Sequence, residues 1–374
     1  MVLLKNEKQI LPLKKSGTIA VIGPLGNSKV DMLGTWAMGG DPGKIVTIVE
    51  GLKSIGGKGV SVLYSQGSEF TDNPQLAKSS NPLGIQSQQA VKKPALTPEQ
   101  MLSEALQTAK KEDVVVAVLG EPSSWSGEAS SMSDIGIQKV QQNLLKALIK
   151  TGKPVVLVLI NGRPMTLGWE NENVSTILEA WACGTEAGNA VADILYGNYN
   201  PSGKLTTTFP LNVGQIPLYY NHKNTGRPYD PKNKFTSKYL DTSNEPVYPF
   251  GYGLSYTSFT YSDIRLTKTR LQGNVTLTAS VTLTNSGKYA GEEVVQLYIQ
   301  DPVASVSRPV KELKNFKRVL LQPGETKEVS IDITTKDLMF YNSELKYDWE
   351  PGDFDIYIGT NSRDVKSARV NWLK

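Results

Sequence analysis

At 374 residues the chain is long enough for two or three domains, and its 39% hydrophobic and 20% charged content is that of a globular protein with a core of its own. The net charge of +4 is spread through interleaved Lys, Arg, Asp and Glu with no concentrated basic stripe, which excludes a nucleic-acid partner. No stretch reaches the roughly 18 consecutive apolar residues of a membrane span, "MVLLKNEKQILPLKK" lacks the apolar core of an export signal, and the single Cys183 excludes an internal disulfide or a multi-cysteine metal site.

The first two hundred residues alternate short β-branched runs with longer helical patterns. Strands are predicted at "TIAVIG" from Thr18, "VSVLYS" from Val60, "VVVAVLG" from Val114, "PVVLVLING" from Pro154 and "STILEAW" from Ser175. Between them, "TIVEGLKSIG", "TPEQMLSEALQTAKK", "SDIGIQKVQQNLLKALIKTG" and "TEAGNAVADILYG" repeat apolar residues at three and four, the helical period. Thr97 and Ser133 stand as N-caps, Gln100 completes a capping box with Thr97, and Gly152 and Gly197 stand just past helix ends. Apolar runs without alternation describe strands buried on both faces, hence a mostly parallel sheet with helices on both faces, an α/β open sandwich. Ligands of such sheets bind at the carboxyl ends of the strands.

A dinucleotide site would rest on "VIGPLG", but the third glycine and the acidic residue of the fingerprint are missing, and "INGRP" at 160–164 is expected to be a strand-ending turn. The loop after the third run, "GEPSSWSGEASSMSDIGIQ" at 120–138, carries Glu121 and Glu128 around Trp125 and Ser126. Glycoside hydrolysis needs one carboxyl group to protonate the leaving oxygen and a second carboxylate across the sugar. From the residues alone the loop is either that catalytic acid's seat or a polar connector; Trp125 either stacks on a sugar or packs the loop, and Glu121 either touches substrate or orders the loop.

From Gly214 the periodicity lapses into a Pro/Asn/Lys/Tyr-rich stretch that contains His222, the only histidine, in what reads as a surface loop. The expected boundaries are an α/β sandwich over 1–213, a linker wrapping the domains over 214–262 and a fibronectin type III-like sandwich over 263–374. Period-two segments such as "NVTLTASVTLTNSG" and "GDFDIYIGTNS" support the last, and the absence of a B–F cysteine pair favours the fibronectin-like version.

"VLLKNEKQILPL", the 120–148 stretch, "GKPVVLVLINGRPMTL", "GNYNPSGKLTTTFP" and "YPFGYGLSYTSFTYSDI" together resemble the C-terminal two-thirds of glycoside hydrolase family 3 enzymes of the β-glucosidase type, in family order across nearly the whole chain. The resemblance implies an α/β sandwich that lends the acid/base glutamate, followed by a fibronectin type III domain. It maps the family's "SGE" onto Ser126, Gly127 and Glu128, making Glu128 the acid/base; Trp125, by its place three residues before Glu128, Ser126 and Glu121 are the expected substrate-binding residues beside it. It departs in the segment "SSMSD", with Met132 and Ser133 before Asp134, where related sequences often carry an arginine.

No eight-fold βα pattern with a nucleophile aspartate is found in the sequence, and "YDW" at 347–349 falls in the final sandwich. The expectation is therefore an acid/base-bearing part of a retaining exo-β-glycosidase, with a (β/α)8-barrel chain supplying the nucleophile, a β-linked glucoside or short oligosaccharide as substrate, and no metal or organic cofactor. A higher oligomer is compatible with this. The compartment is periplasmic or secreted if a signal accompanies the barrel, and cytoplasmic otherwise. The alternative is a non-catalytic carbohydrate-binding or adhesion protein made of a flavodoxin-like and a fibronectin-like module.

Overall fold

The computed structural model describes residues 1–37, 39–78 and 96–374. The chain divides into two compact units, Met1–Gly203 with Asn212–Gly214 and Lys204–Leu211 with Gln215–Lys374.

The first unit is built on a six-stranded sheet of β1 (Val2–Asn6), β2 (Gly17–Ile22), β3 (Val60–Ser65), β4 (Val114–Gly120), β5 (Val155–Ile160) and β6 (Thr176–Glu179), in the spatial order β1-β6-β5-β4-β2-β3. All five predicted strands are present and pair in parallel, while β1 adds an antiparallel edge beside β6. The apolar runs of β4 and β5 are buried along their length, as strands covered on both faces must be.

The helices are α1 (Val30–Leu33), α2 (Ile48–Gly56), α3 (Pro74–Ala77), α4 (Pro98–Lys111), α5 (Lys139–Ile149), α6 (Gly168–Asn173) and α7 (Ala187–Leu195). Thr97 and Gln100 form the predicted capping box, with Gln100 N donating to Thr97 Oγ1 at 3.3 Å and Thr97 N to Gln100 Oε1 at 2.8 Å. Gly152 and Gly197 take positive φ, 77° and 74°, past the ends of α5 and α7. Ser133 is not an N-cap: α5 begins at Lys139. Residues 133–138 are held out of the helix because Asp134 Oδ1 accepts the Gly136 amide at 2.9 Å and Thr166 N donates to Ile135 O at 3.1 Å in a parallel bridge.

In the second unit, β7 (Phe259–Tyr261), β8 (Arg265–Leu266), β9 (Arg270–Gln272), β10 (Leu277–Asn285), β11 (Gly291–Gln300), β12 (Glu312–Leu321), β13 (Thr326–Ile333), α8 (Thr335–Leu338), β14 (Phe340–Tyr341), β15 (Tyr347–Asp348), β16 (Gly352–Gly359) and β17 (Val365–Leu373) follow one another. One sheet is ordered β13-β10-β7 with β8 also on β10, the other β12-β11-β16-β17-β9. Alternate residues such as Val281, Leu283, Val329 and Ile331 from the first sheet and Leu297, Ile356, Ile358 and Trp372 from the second share one buried apolar cluster, the expected β-sandwich. The sandwich begins at Phe259, ahead of position 263, because β7 pairs with β10. Lys204 is partly buried in this unit, donating to Glu293 Oε2 at 3.1 Å and Gly253 O at 2.8 Å.

Candidate active site

Strand order reverses between β2 and β4, so the crevice of the sheet opens where the loops after those strands leave their carboxyl ends. The loop carrying Glu128 is one of the two. Its root is fixed by the Gln141 side chain on α5, which accepts from Gly120 N at 2.9 Å and donates to Gly120 O at 2.8 Å, and by Glu121 N donating to Ile160 O at 2.9 Å.

The loop that follows β2 then grips it. Asp31 Oδ1 accepts Ser123 N at 2.8 Å, while Thr35 Oγ1 donates to Ser126 O at 2.7 Å and also contacts Ser123 O. Gly127 sits at φ +95°, and a Cβ there would stand 2.4 Å from Thr35 Cγ2. The contact needs glycine for its conformation and for its lack of a side chain.

A third grip comes from the turn after β5. Arg163 Nε pairs with Glu121 Oε2 at 3.0 Å, and its guanidinium also donates to Ser130 O at 2.9 Å and to Trp125 O. A single planar fork thus binds a buried carboxylate and two backbone carbonyls that bracket Glu128. Burial pushes the Glu121 carboxyl above its ordinary range, against the pull of the Arg163 charge.

Glu128 itself is exposed, and its carboxylate takes no partner among the described residues. The other sequence-predicted residues serve the loop. Glu121 is only 4% exposed and ion-paired. Ser126 is buried with its hydroxyl 3.1 Å from Thr35 Oγ1 and packed against Gly162, where a Cβ would fall 2.2 Å away. Trp125 is 4% exposed and meets Phe70 edge-on at 6.4 Å, so its ring presents no open face to a sugar within this chain. The exposed ring beside the loop is Trp36, 60% accessible, with Cε2 3.4 Å from the Cβ position of Gly127.

Asp31, Thr35, Trp36 and Arg163 were not singled out by sequence. The signal available was position: "INGRP" leaves β5 beside β4, so its arginine emerges next to the loop that leaves β4. "INGRP" is a turn, as expected, with Asn161 Nδ2 donating to Arg163 O at 2.6 Å. His222 lies in an exposed loop of the second unit, its Nδ1 3.1 Å from Lys223 O.

Close to these turns, at the end of β6, Glu179 is fully buried and Oε1 accepts Trp181 N at 2.9 Å, steadying Trp181 at φ +57°. Among the described residues, Oε2 of Glu179 and Oδ1 of Asn161 have no hydrogen-bond partner. Burial pushes the Glu179 carboxyl up to about 8, so it carries its proton at neutral pH. Among the described residues no cluster of three or more His, Cys, Asp or Glu is placed to hold a metal ion, and no helix is long and apolar enough to cross a membrane.

An open, mostly parallel α/β sheet with helices in the same chain as a fibronectin-like sandwich defines a two-part α/β plus all-β protein. Residues 1–256 match the glycosyl hydrolase family 3 C-terminal domain and residues 293–362 the fibronectin type III-like domain, and the chain accordingly belongs to glycoside hydrolase family 3. It is 50% identical to a periplasmic beta-glucosidase of Salmonella typhimurium, covering 100% of this chain and 48% of that protein. It is 39% identical to a beta-xylosidase of Formosa agariphila, over 99% of this chain and 48% of that protein. The crystal structure of a beta-glucosidase from Listeria innocua in complex with isofagomine superposes with a TM-score of 0.87 at 40% identity, covering 100% of this chain and 48% of that one. The chain spans about half the length of the curated relatives it matches.

Proposed function

We propose that the chain is the acid/base-bearing part of a retaining exo-β-glycosidase of β-glucosidase type, with Glu128 as acid/base and the nucleophile supplied by a (β/α)8 barrel outside these 374 residues. The observation that carries the reading is Glu128 itself: an exposed, unpartnered carboxylate on a loop whose every neighbouring element is tied down. A solvated connector would not need three separate anchors.

In the first step a barrel carboxylate attacks the anomeric carbon while Glu128 gives its proton to the departing oxygen. In the second, Glu128 takes a proton from the water that releases the sugar. The substrate is a β-linked glucoside or short oligosaccharide, and the protein acts in the periplasm, both carried over from the names of the relatives.

The test is Glu128→Gln in the barrel-completed enzyme. General acid catalysis contributes about 10² to 10⁴ in rate, and the loss in kcat/KM, which reports the first step, should be large for cellobiose and small for an activated nitrophenyl β-glucoside, which leaves without a proton. Equal losses on both would sink the assignment. The 374-residue chain by itself should not turn over aryl β-glucosides, since one carboxylate cannot perform a double displacement.

A further inference from the structure

We infer that Arg163 is a positioning residue for the acid/base, acting through the backbone of the loop and not by touching the sugar. The inference rests on the assignment of Glu128 above and goes beyond it.

Of the three anchors, only Arg163 reaches both sides of Glu128. Its guanidinium binds the carbonyl of Trp125, three residues before, and that of Ser130, two residues after, at 2.9 Å. Fixing both points restricts the short arc on which Glu128 is carried, and the arc needs restriction, since Gly127 and Ala129 both hold positive φ, 95° and 57°. The third arm of the fork is Glu121, whose buried carboxylate pairs with Nε at 3.0 Å and supplies the counter-charge that keeps the guanidinium in place. Five donors in a rigid plane allow one arginine to serve a carboxylate and two carbonyls at once. Nε holds Glu121 while Nη2 meets both carbonyls, and a lysine amine, with its single nitrogen, lacks the spread that lets the guanidinium hold the carboxylate and the two carbonyls from separate nitrogens.

The geometric consequence is a division of labour. Misplacing a catalytic group by about 1 Å can lower the rate on the order of 100-fold, and the loss falls on the step that needs the proton. Arg163 variants should therefore imitate Glu128→Gln in kind: kcat/KM lowered on poor leaving groups and nearly normal on activated ones.

The experiment measures kcat and KM of Arg163→Lys and Arg163→Met in the barrel-completed enzyme against a series of aryl β-glucosides of rising leaving-group pKa and against cellobiose, alongside Glu128→Gln and wild type. Thermal midpoints of the same variants are recorded as a control for folding. The expected result is a steeper dependence of kcat/KM on leaving-group pKa, about 10-fold or more lost on cellobiose, with Arg163→Lys keeping nearly wild-type stability and still showing the steeper slope. A folded Arg163→Lys enzyme with the wild-type slope overturns the inference, as does a uniform loss across all leaving groups. If Glu128→Gln itself shows no leaving-group dependence, it is the assignment of Glu128 that fails, and the two failures are thereby told apart.

Discussion

Gly127 and Thr35 approach so closely that a Cβ on the glycine would stand 2.4 Å from Thr35 Cγ2, with the glycine at φ +95°. Gly127→Ala meets a conformational cost of about 1–3 kcal/mol together with this clash, and either the loop or the 31–35 segment has to shift. The expected outcome is a thermal midpoint lowered by several degrees and a fall in kcat on unactivated glucosides exceeding that on activated ones. Calorimetry and steady-state kinetics on the same preparation check it; an unchanged kcat would show that the loop tolerates the displacement.

The two tryptophans near the loop should behave oppositely. Trp125, buried against Phe70, is expected to lose about 3–5 kcal/mol of stability on replacement by alanine while leaving KM of the surviving folded enzyme unaltered. Trp36, 60% exposed beside Gly127, should give Trp36→Ala a stability within about 0.5 kcal/mol of wild type. Its KM should rise about fivefold, the equivalent of roughly 1 kcal/mol of ring contact. Chemical denaturation and substrate saturation curves separate the two; a raised KM in Trp125→Ala alone would return the stacking role to Trp125.

Glu179 gives the stability of the first unit a definite pH dependence. Its carboxyl is raised to about 8 in the folded chain, against 4.5 when exposed, so folded protein binds more protons than unfolded protein across that interval. Stability therefore falls as pH rises from about 4.5 to about 8, by at most about 1.4 kcal/mol per pH unit from this group, and levels off above. Glu179→Gln keeps the shape and a donor but cannot ionise, so its denaturation midpoint should vary less over that range and exceed wild type at pH 8. Parallel curves for the two proteins from pH 5 to 8 would refute it.

In the second unit, partly buried Lys204 pairs with buried Glu293 at 3.1 Å, with Tyr261 OH donating to the other Glu293 oxygen at 2.9 Å. Lys204→Met strands a buried carboxylate and should cost about 3–5 kcal/mol. The double variant Lys204→Met/Glu293→Gln removes the stranded charge and should recover much of that. Urea denaturation of the wild type and both variants measures the coupling; equal losses in the single and double variants would deny it.

What the sequence disclosed followed the range of the interactions involved. "VVVAVLG" announces a strand covered on both faces because its burial is written in consecutive letters, and the capping box of Thr97 and Gln100 is complete within four residues. Ser133 looked equally like a cap, yet Asp134 and the bridge between Gly136 and Thr166 claim its segment, and the bridge partner lies outside any local window. Glu128 is proposed from the motif around it, and the fold adds its exposure. Arg163 was not legible, since its three partners lie 33 to 42 residues away and nothing near it in sequence announces them. Likewise, only the fold separates Trp125 from Trp36: one ring is turned into packing and the other outward.

The arrangement of the anchors bears on protein engineering. Residues 120–130 form a compact cassette on paper, tempting to transplant onto another parallel sheet as a ready-made proton donor. Their shape, however, is written elsewhere: in Asp31 and Thr35 after β2, in Gln141 on α5 and in Arg163 after β5. A graft of the cassette alone would deliver the carboxylate without its aim, and a recipient scaffold would have to receive all four outlying residues, with their strand spacing, to inherit the chemistry.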